Sequence, residues 1–229
     1  STAGGGAYGF GGLNPGSYIV EVDPDNFSTG GNLEGMPSST GNDPAPDPDD
    51  DVNNDDNGSP VSGFGVASTA IDLSDGAEPT NDGDADPNSN LTVDFGFWQP
   101  LCLGSLVFKD LDDDGLFEPG DGEFGIDGVK LNLYLDDGDN VLTVADGAPI
   151  AMATTAGGGL YSFDNLTPGA YIVAVDPSAF AAGGALENMP SSTGNDPVPD
   201  PDDDADNDDN GSEVTLGAIL VVATQAVTL

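Results

Sequence analysis

Residues 1–59 of this chain recur without a gap as residues 154–212, and 42 of the 59 positions are identical. A later stretch, Ala67-Ser-Thr-Ala-Ile-Asp-Leu73, recurs as Ala223-Thr-Gln-Ala-Val-Thr-Leu229. A repeat of this length constrains the fold more than composition does, because local structure adopted by one copy must also suit the other. Residues 104–153 have no counterpart ahead of copy one, and residues 74–99 have none behind copy two. The expected organisation is a partial β-sandwich repeat over 1–100, its front strands absent, and a second over 101–229, its closing strand absent. On that reading the chain is a window about one and a half repeats wide on a longer tandem array. The less favoured alternative is a subunit whose halves are completed by strands from neighbours.

Both copies carry strand patterns. Val129-Lys-Leu-Asn-Leu-Tyr-Leu135 alternates apolar and polar residues, which predicts a strand. Tyr161 and Phe163 share one face of the next unit, Leu166 plugs a turn, and Pro168-Gly169 reverses the chain. Tyr171, Val173 and Val175 then line one face of a further strand. More strands are predicted near 104–109, over 150–155, over Leu216–Thr224 and over Leu91–Trp98. Aromatics at this spacing are expected in the core. The single cysteine, Cys102, cannot form an internal disulfide and is expected as a small buried residue.

Charge sets the next constraint. The formal net charge is −40, from 42 acids against two lysines, Lys109 and Lys130, with no Arg or His. Nucleic acid is excluded as a natural partner, since phosphates are neutralised by Lys and Arg. An anionic membrane surface is disfavoured for the same reason. No stretch approaches the ~20 apolar residues of a membrane-spanning helix. Such a charge opposes compaction, yet 37% of residues are hydrophobic and fall in strands. Bound cations that neutralise the acids resolve the conflict. A halophile's evenly charged surface is the rival account, but here the acids cluster in loops.

Four acidic segments carry a metal-ligand pattern. In the first, carboxylates stand at Asp110, Asp112 and Asp114, followed by Gly115. Counting from Asp110, Leu116 is position seven and can offer its carbonyl, Asp121 is position twelve, and Glu123 lies just beyond. This is the ligand order of a calcium loop, where a hard cation takes ~6–8 oxygens. An EF-hand would need flanking helices, and these flanks read as strands. A second turn offers Asp137, Asp139 and Asp146. The third segment alternates strictly, with Asp200, Asp202, Asp204, Asp206 and Asp208 in copy two and Asp47, Asp49, Asp51 and Asp55 in copy one. The fourth offers Asp82, Asp84 and Asp86, with Asn88 and Asn90 continuing the register. The competing interpretation of each is a solvated acidic turn or linker. The rest of the chain offers no triad or zinc set, so no enzyme is expected. The five Asn-x-Ser/Thr strings, at Asn26, Asn57, Asn90, Asn165 and Asn210, are within chance for such a composition.

Val107-Phe-Lys-Asp-Leu-Asp-Asp-Asp-Gly115, Gly125-Ile-Asp-Gly-Val129 and Gly159-Leu-Tyr-Ser-Phe-Asp-Asn-Leu-Thr-Pro-Gly169 together carry a family resemblance. They are similar to the B-type repeats of serine-aspartate repeat surface proteins and to the wider collagen-adhesin B-type group. The resemblance implies an all-β, transthyretin-like β-sandwich rigidified by Ca²⁺ in bacterial surface proteins. It places calcium ligands on Asp110, Asp112, Asp114 and either Asp121 or Glu123. Pro119-Gly120-Asp121 looks like a two-residue lengthening, which leaves that last choice open.

The function expected is a non-catalytic extracellular structural protein at the cell surface, a calcium-stabilised filament or stalk whose partners are copies of itself. The alternative is an adhesin module that binds a host protein or glycan, with Phe27, Phe64 and Phe180 as loop aromatics.

Overall fold

The computed structural model describes residues 1–39, 55–62, 65–192 and 208–229. It divides into two compact units, Ser1–Gln99 and Pro100–Leu229. Strands, turns and short 3-10 segments make up the described chain, so the protein is all-β. No helix among the described residues is long and apolar enough to cross a membrane.

Unit 1 contains β1 (Gly16–Tyr18), β2 (Glu21–Val22), β3 (Ser59–Val61), β4 (Gly65–Ala67) and β5 (Ile71–Leu73). β1 pairs antiparallel with β5, and β4 lies between β2 and β3. Val66, Ala67 and Ile71 are its buried aliphatics. The segment 91–98, expected as a strand, forms no ladder. It makes a single bridge, Ser38 to Phe97. Its backbone bonds to scattered partners instead: Asn57 N–H donates to Asp94 carbonyl oxygen, Ser39 N–H to Gly96 carbonyl oxygen and Gly96 N–H to the Asp56 carboxylate, which also accepts from the Ser38 and Ser39 hydroxyls, while Phe97 stacks on Phe27 at 5.6 Å and Phe95 on Tyr8 at 6.2 Å between ring centroids.

Unit 2 contains β6 (Leu101–Leu106), β7 (Phe108–Lys109), β8 (Phe124–Gly125), β9 (Lys130–Leu135), β10 (Ala151–Thr154), β11 (Leu160–Leu166), β12 (Ala170–Val175), β13 (Ser212–Leu216), β14 (Ile219–Ala223) and β15 (Val227–Thr228). A six-stranded sheet runs β10-β9-β12-β14-β13, with β15 also paired to β12. β6 and β11 form a second antiparallel ladder. Leu131, Leu133, Tyr171 and Val173 of the large sheet meet Phe163 and Leu166 of β11, and this layer is the core between the two sheets. Its burial of apolar surface, at ~25 cal/mol per Å², is the main force holding the sheets together.

The expected face of β12 is confirmed in Tyr171 and Val173, but the strand is buried on both sides. Ile172 and Ala174 pack on the opposite face with Tyr134, Leu142, Val221 and Ala223. Leu166 is buried at the turn as predicted. The predicted strand 216–224 is a hairpin instead. Leu216 pairs with Ile219, and Gly217 at φ +64° starts the two-residue turn. Cys102 is exposed rather than buried. It stands on β6 between the half-buried Leu101 and Leu103, and strand alternation turns it outward.

Candidate metal centres

The first acidic loop is closed by a short stem. β7 pairs with β8, with Phe108 opposite Gly125 and Lys109 opposite Phe124. Val107 and Ile126, just outside the stem, pack with Val129, Ala179 and Leu186. The stem therefore fixes both ends of residues 110–123 to the core.

Within the loop, Asp110 is the centre of curvature. One carboxylate oxygen accepts from the N–H groups of Asp112 (3.2 Å) and Asp113 (2.7 Å), and the other from Gly115 N–H (2.8 Å). Asp113 at φ 60° and Gly115 at φ 80° adopt left-handed backbone to make this curl. Asp114 accepts from Leu116 N–H at 2.9 Å. The result brings one carboxylate oxygen each of Asp110, Asp112 and Asp114 within 4.8 Å of one another.

Electrostatics records the crowding. Burial raises the Asp110 carboxyl, but the surrounding backbone N–H groups outweigh it and leave Asp110 below the usual carboxylate range. At Asp112 a single backbone hydrogen bond is too little to compensate. Dehydration and then the charges of Asp114, Asp110 and Glu123 push it up. Glu118 is raised chiefly by Asp114. The loop holds like charges together and pays for it in repulsion.

Glu123 is buried and is used inside the protein. Its two carboxylate oxygens accept from Leu111 N–H (2.8 Å) and Glu118 N–H (2.7 Å). Asp121 sits in the 3-10 turn Pro119–Asp121. Neither is among the three gathered carboxylates. Leu116 forms a backbone bridge with Asp208, and Asp209 N–H donates to Gly115 carbonyl oxygen at 2.8 Å. The end of the alternating run is thus tied to this loop. Sequence reasoning missed Asp209 because the alternating register selects Asp208 and skips its neighbour. Burial raises the Asp209 carboxyl, with Asp110 adding to the effect.

The second turn gathers Asp136, Asp137 and Asp146. Asp136 was not anticipated, and Asp139 is directed elsewhere, accepting from Val141 N–H at 3.0 Å. Asp146 accepts from Asp137 N–H (2.9 Å) and Thr143 N–H (2.7 Å). Leu142, buried against Tyr134 and Ile172, pins this turn to the large sheet. Dehydration and the charges of Asp139 and Asp146 raise Asp137.

The segment at 82–90 behaves differently. Asp82 is buried and accepts from Leu91 N–H at 2.6 Å. Asp84 accepts from Asp86 N–H and Asp86 from Asn88 N–H. These three do not form a gathered triad among the described residues. Of the alternating runs, Asp47, Asp49, Asp51, Asp200, Asp202, Asp204 and Asp206 lie outside the described residues. Asp55 and Asp208 each accept from the side-chain amide two residues on, Asn57 and Asn210.

The donor set of the two gathered loops is all carboxylate oxygen, which fits a hard divalent cation such as Ca²⁺. Asp110, Asp112 and Asp114 would hold one ion and Asp136, Asp137 and Asp146 another.

Comparison with known proteins agrees with this architecture. Residues 101–219 match the family described as SdrD B-like domain. A fibrinogen-binding protein of Staphylococcus epidermidis is 39% identical over 89 residues, covering 38% of this chain and 7% of that protein. Serine-aspartate repeat-containing protein I of Staphylococcus saprophyticus is 33% identical over 171 residues, covering 73% of this chain and 7% of its own length. Colossin-B of Dictyostelium discoideum is 30% identical over 86 residues, covering 38% of this chain and 2% of its own. The chain thus spans less than a tenth of the length of these relatives. No solved structure matches it at a significant level. The family match covers more than half of the chain, and the chain belongs to the SdrD B-like domain family of cell-surface proteins, whose members are structural or adhesive rather than enzymatic.

Proposed function

We propose that the chain is a calcium-stabilised structural module of a tandem-repeat stalk or filament outside the cell. The observation that carries this reading is the convergence of Asp110, Asp112 and Asp114 within 4.8 Å on a loop anchored to the core. Three carboxylates held this close repel one another, and the charges of Asp114 and Asp110 add to dehydration in raising Asp112. A divalent ion supplies the missing positive charge and favours the native state, because the unfolded chain no longer holds the site together. The chain's own residues do the rest. Asp110 organises the loop backbone, Glu123 holds its two limbs through Leu111 and Glu118, and the β7–β8 stem fixes the ends. The recurrence of residues 1–59 as 154–212 supports an array of such units.

The test is thermal melting and limited proteolysis with calcium and with a chelator. A lower melting temperature and new cleavage at 110–123 without calcium are expected. An unchanged melting temperature and unchanged protease resistance would sink the reading. KCl and CaCl₂ compared at matched ionic strength separate a specific ion from general screening; equal stabilisation favours the halophile account.

A second reading, an adhesive module, draws on the relative named as a fibrinogen-binding protein. Two of the three loop aromatics that this reading used are engaged in packing: Phe27 with Phe97, and Phe180 with the Ile126–Val129 cluster. Phe64 lies outside the described residues. A protein and glycan array probed with the whole chain tests it, and the absence of any ligand would count against it.

A further inference from the structure

The last three strands of unit 2 are joined to the strands before them by short ladders. β9 runs along β12 from Leu135 opposite Tyr171 to Leu131 opposite Val175. β14 meets β12 only at Ala223 opposite Ala174, extended by Thr224, whose N–H donates to Val173 carbonyl oxygen (2.9 Å) and whose hydroxyl accepts from Val173 N–H (3.1 Å). β15 meets β12 at Thr228 opposite Ala170 and Val227 opposite Tyr171. Among the described residues β13 is laddered to β14 alone.

Each acidic loop adds a tie to this C-terminal part, and the two ties are built alike. In the first loop Asp110 accepts from Gly115 N–H (2.8 Å), and the carbonyl oxygen of the same Gly115 accepts from Asp209 N–H (2.8 Å). Leu116 and Asp208 form a backbone bridge beside it. In the second turn Asp136 accepts from Asn140 N–H (3.1 Å). The Asn140 side chain then reaches across. Its amide donates to the Gln225 side-chain oxygen (2.9 Å), and its oxygen accepts from Ala226 N–H (2.9 Å). Asn140 stands at φ 66°, a left-handed conformation that asparagine tolerates better than most residues. In both loops a carboxylate of the gathered triad holds one loop residue, and that residue holds the distant chain. Asp209 precedes β13, and Gln225 and Ala226 lie between β14 and β15, so the ties fall on either side of the β13–β14 hairpin.

The Asn140 bonds are exposed, where water competes for every donor and acceptor and a hydrogen bond contributes little by itself. Such a tie holds only as firmly as the loop that carries it. Each loop gathers three carboxylates within 4.8 Å, so like charge opposes its curl until a cation enters. A cation that fixes the loop fixes Gly115 or Asn140 with it, which couples occupancy of the site to closure of the tie.

We propose that the two loops are latches: a divalent cation in each clamps β13–β15 onto the preceding strands of unit 2, through Gly115 and Asp209 at the first loop and through Asn140, Gln225 and Ala226 at the second. The latch rests on the calcium reading above and specifies what each ion holds in place. Without the ions the C-terminal strands keep their short ladders to β12 and open locally more often.

The test follows amide exchange by NMR on the whole chain, with calcium and with a chelator, beside calorimetric titration of calcium. Asp209 and Ala226 N–H report the two ties. Thr155 N–H, bonded to Val129 carbonyl oxygen among the earlier strands, reports general stabilisation. Calcium should slow exchange at Asp209 and Ala226 at least about fivefold more than at Thr155. Asp112→Asn removes a gathered carboxylate and leaves the Asp110–Gly115 bond; at calcium just enough to saturate the natural loops, it should lose the slowing at Asp209 and keep it at Ala226. Asp137→Asn, which leaves the Asp136–Asn140 bond, should do the reverse. Asn140→Ala cuts the second tie at an exposed position where the fold is kept. Because coupling is reciprocal, it should weaken calcium binding at the second turn by the factor that calcium adds to the tie, and leave the first loop unchanged. Calcium bound at both loops with no slowing at Asp209 and Ala226 beyond that at Thr155 would overturn the latch and leave calcium stabilisation standing. Either loop variant changing both amides alike, or Asn140→Ala leaving both affinities unchanged, would also overturn it. Absence of calcium binding would overturn the latch and the calcium reading together.

Discussion

The loop at 110–123 and the turn at 82–90 place acids at the same alternate spacing and use them in opposite ways. In the loop, Asp110 draws three backbone N–H groups around itself, and its neighbours at 112 and 114 converge with it. In the turn each acid serves a separate local donor: Asp82 serves Leu91, Asp84 serves Asp86, and Asp86 serves Asn88. The turn is knitted together further by Glu78, which accepts from Ser74 N–H and from the Asn90 side chain. Alternation alone therefore does not make a cation site. The backbone must also curl about a common point, which the left-handed residues Asp113 and Gly115 accomplish. The 82–90 turn spreads its acids over separate donors, and the 110–123 loop gathers its like charges about one point.

Removing calcium should separate the two regions most sharply. At calcium near 100 times Kd, each occupied site contributes ~2.7 kcal/mol. For a unit of this size that is about 10 °C per site, and so a fall of about 20 °C when chelation empties both. Hydrogen exchange should accelerate at 110–123 and 136–146 and stay unchanged at 82–90. Equal acceleration in all three would erase the distinction.

Glu123→Ala, measured without calcium, is next in size. It strands two partly buried N–H groups at the loop's base, each worth ~1–3 kcal/mol when left unpaired. The matched change in the turn, Glu78→Ala, exposes its donors to water and should cost under ~1 kcal/mol. Chemical denaturation of both variants makes the comparison, and equal losses would show that Glu123 does not brace the loop.

Much of this was legible in the chain. Alternating apolar residues located β9, β11 and β12, and the Asp-x-Asp-x-Asp-Gly spacing located the first gathered loop. Other features depended on tertiary contacts that spacing does not encode. Asp136 joins Asp137 because the turn folds back so that both of its ends come together, while Asp139 is held away by Val141 N–H. Glu123 follows position twelve, and spacing does not encode that its carboxylate also accepts from two backbone N–H groups and so ties the two limbs of the loop. Residues 91–98 have the composition of a strand. Their pairing with a serine-aspartate cradle instead of a ladder followed from Asp56, a position that alternation within an acidic run hides. The hairpin at Gly217 was hidden by a run of apolar residues that a strand and a two-residue turn share equally well.

Within unit 2 the second turn gives a finer contrast. Asp136→Asn removes a gathered carboxylate, and Asp139→Asn removes one that is not in the triad. Fewer ligand charges weaken calcium binding, so Asp136→Asn should lower affinity at that turn by about tenfold and Asp139→Asn by much less. Calorimetric titration of calcium into each variant reads the difference. A larger loss for Asp139→Asn would mean that the ion is held by the set the sequence pattern names.

The smallest effect is on pH, and it tests the repulsion itself. In calcium-free solution Glu118 is raised above 4.5, chiefly by the Asp114 charge. Asp112 and Asp137 are raised above 3.8 by dehydration and by neighbouring carboxylates. Groups raised in this way weaken the native state when ionised, and that weakness is relieved as pH falls through their raised values. Asp127, held down by Gly159 and Gly158 N–H, and Asp176, held down by Ser178 and Asn132, act the other way. The stability they lend is complete above the ordinary value of 3.8 and is lost as pH falls through their lowered ones. The calcium-free chain should therefore gain stability on acidification from neutral pH toward the mildly acidic range and lose it further down. Saturating calcium should remove the initial gain, because the ion has already neutralised the carboxylates that cause it. A calcium-free melting temperature that falls steadily from neutral pH downward would mean that the gathered acids do not repel appreciably in the native state. The contrast between the loop and the turn would then be one of shape alone.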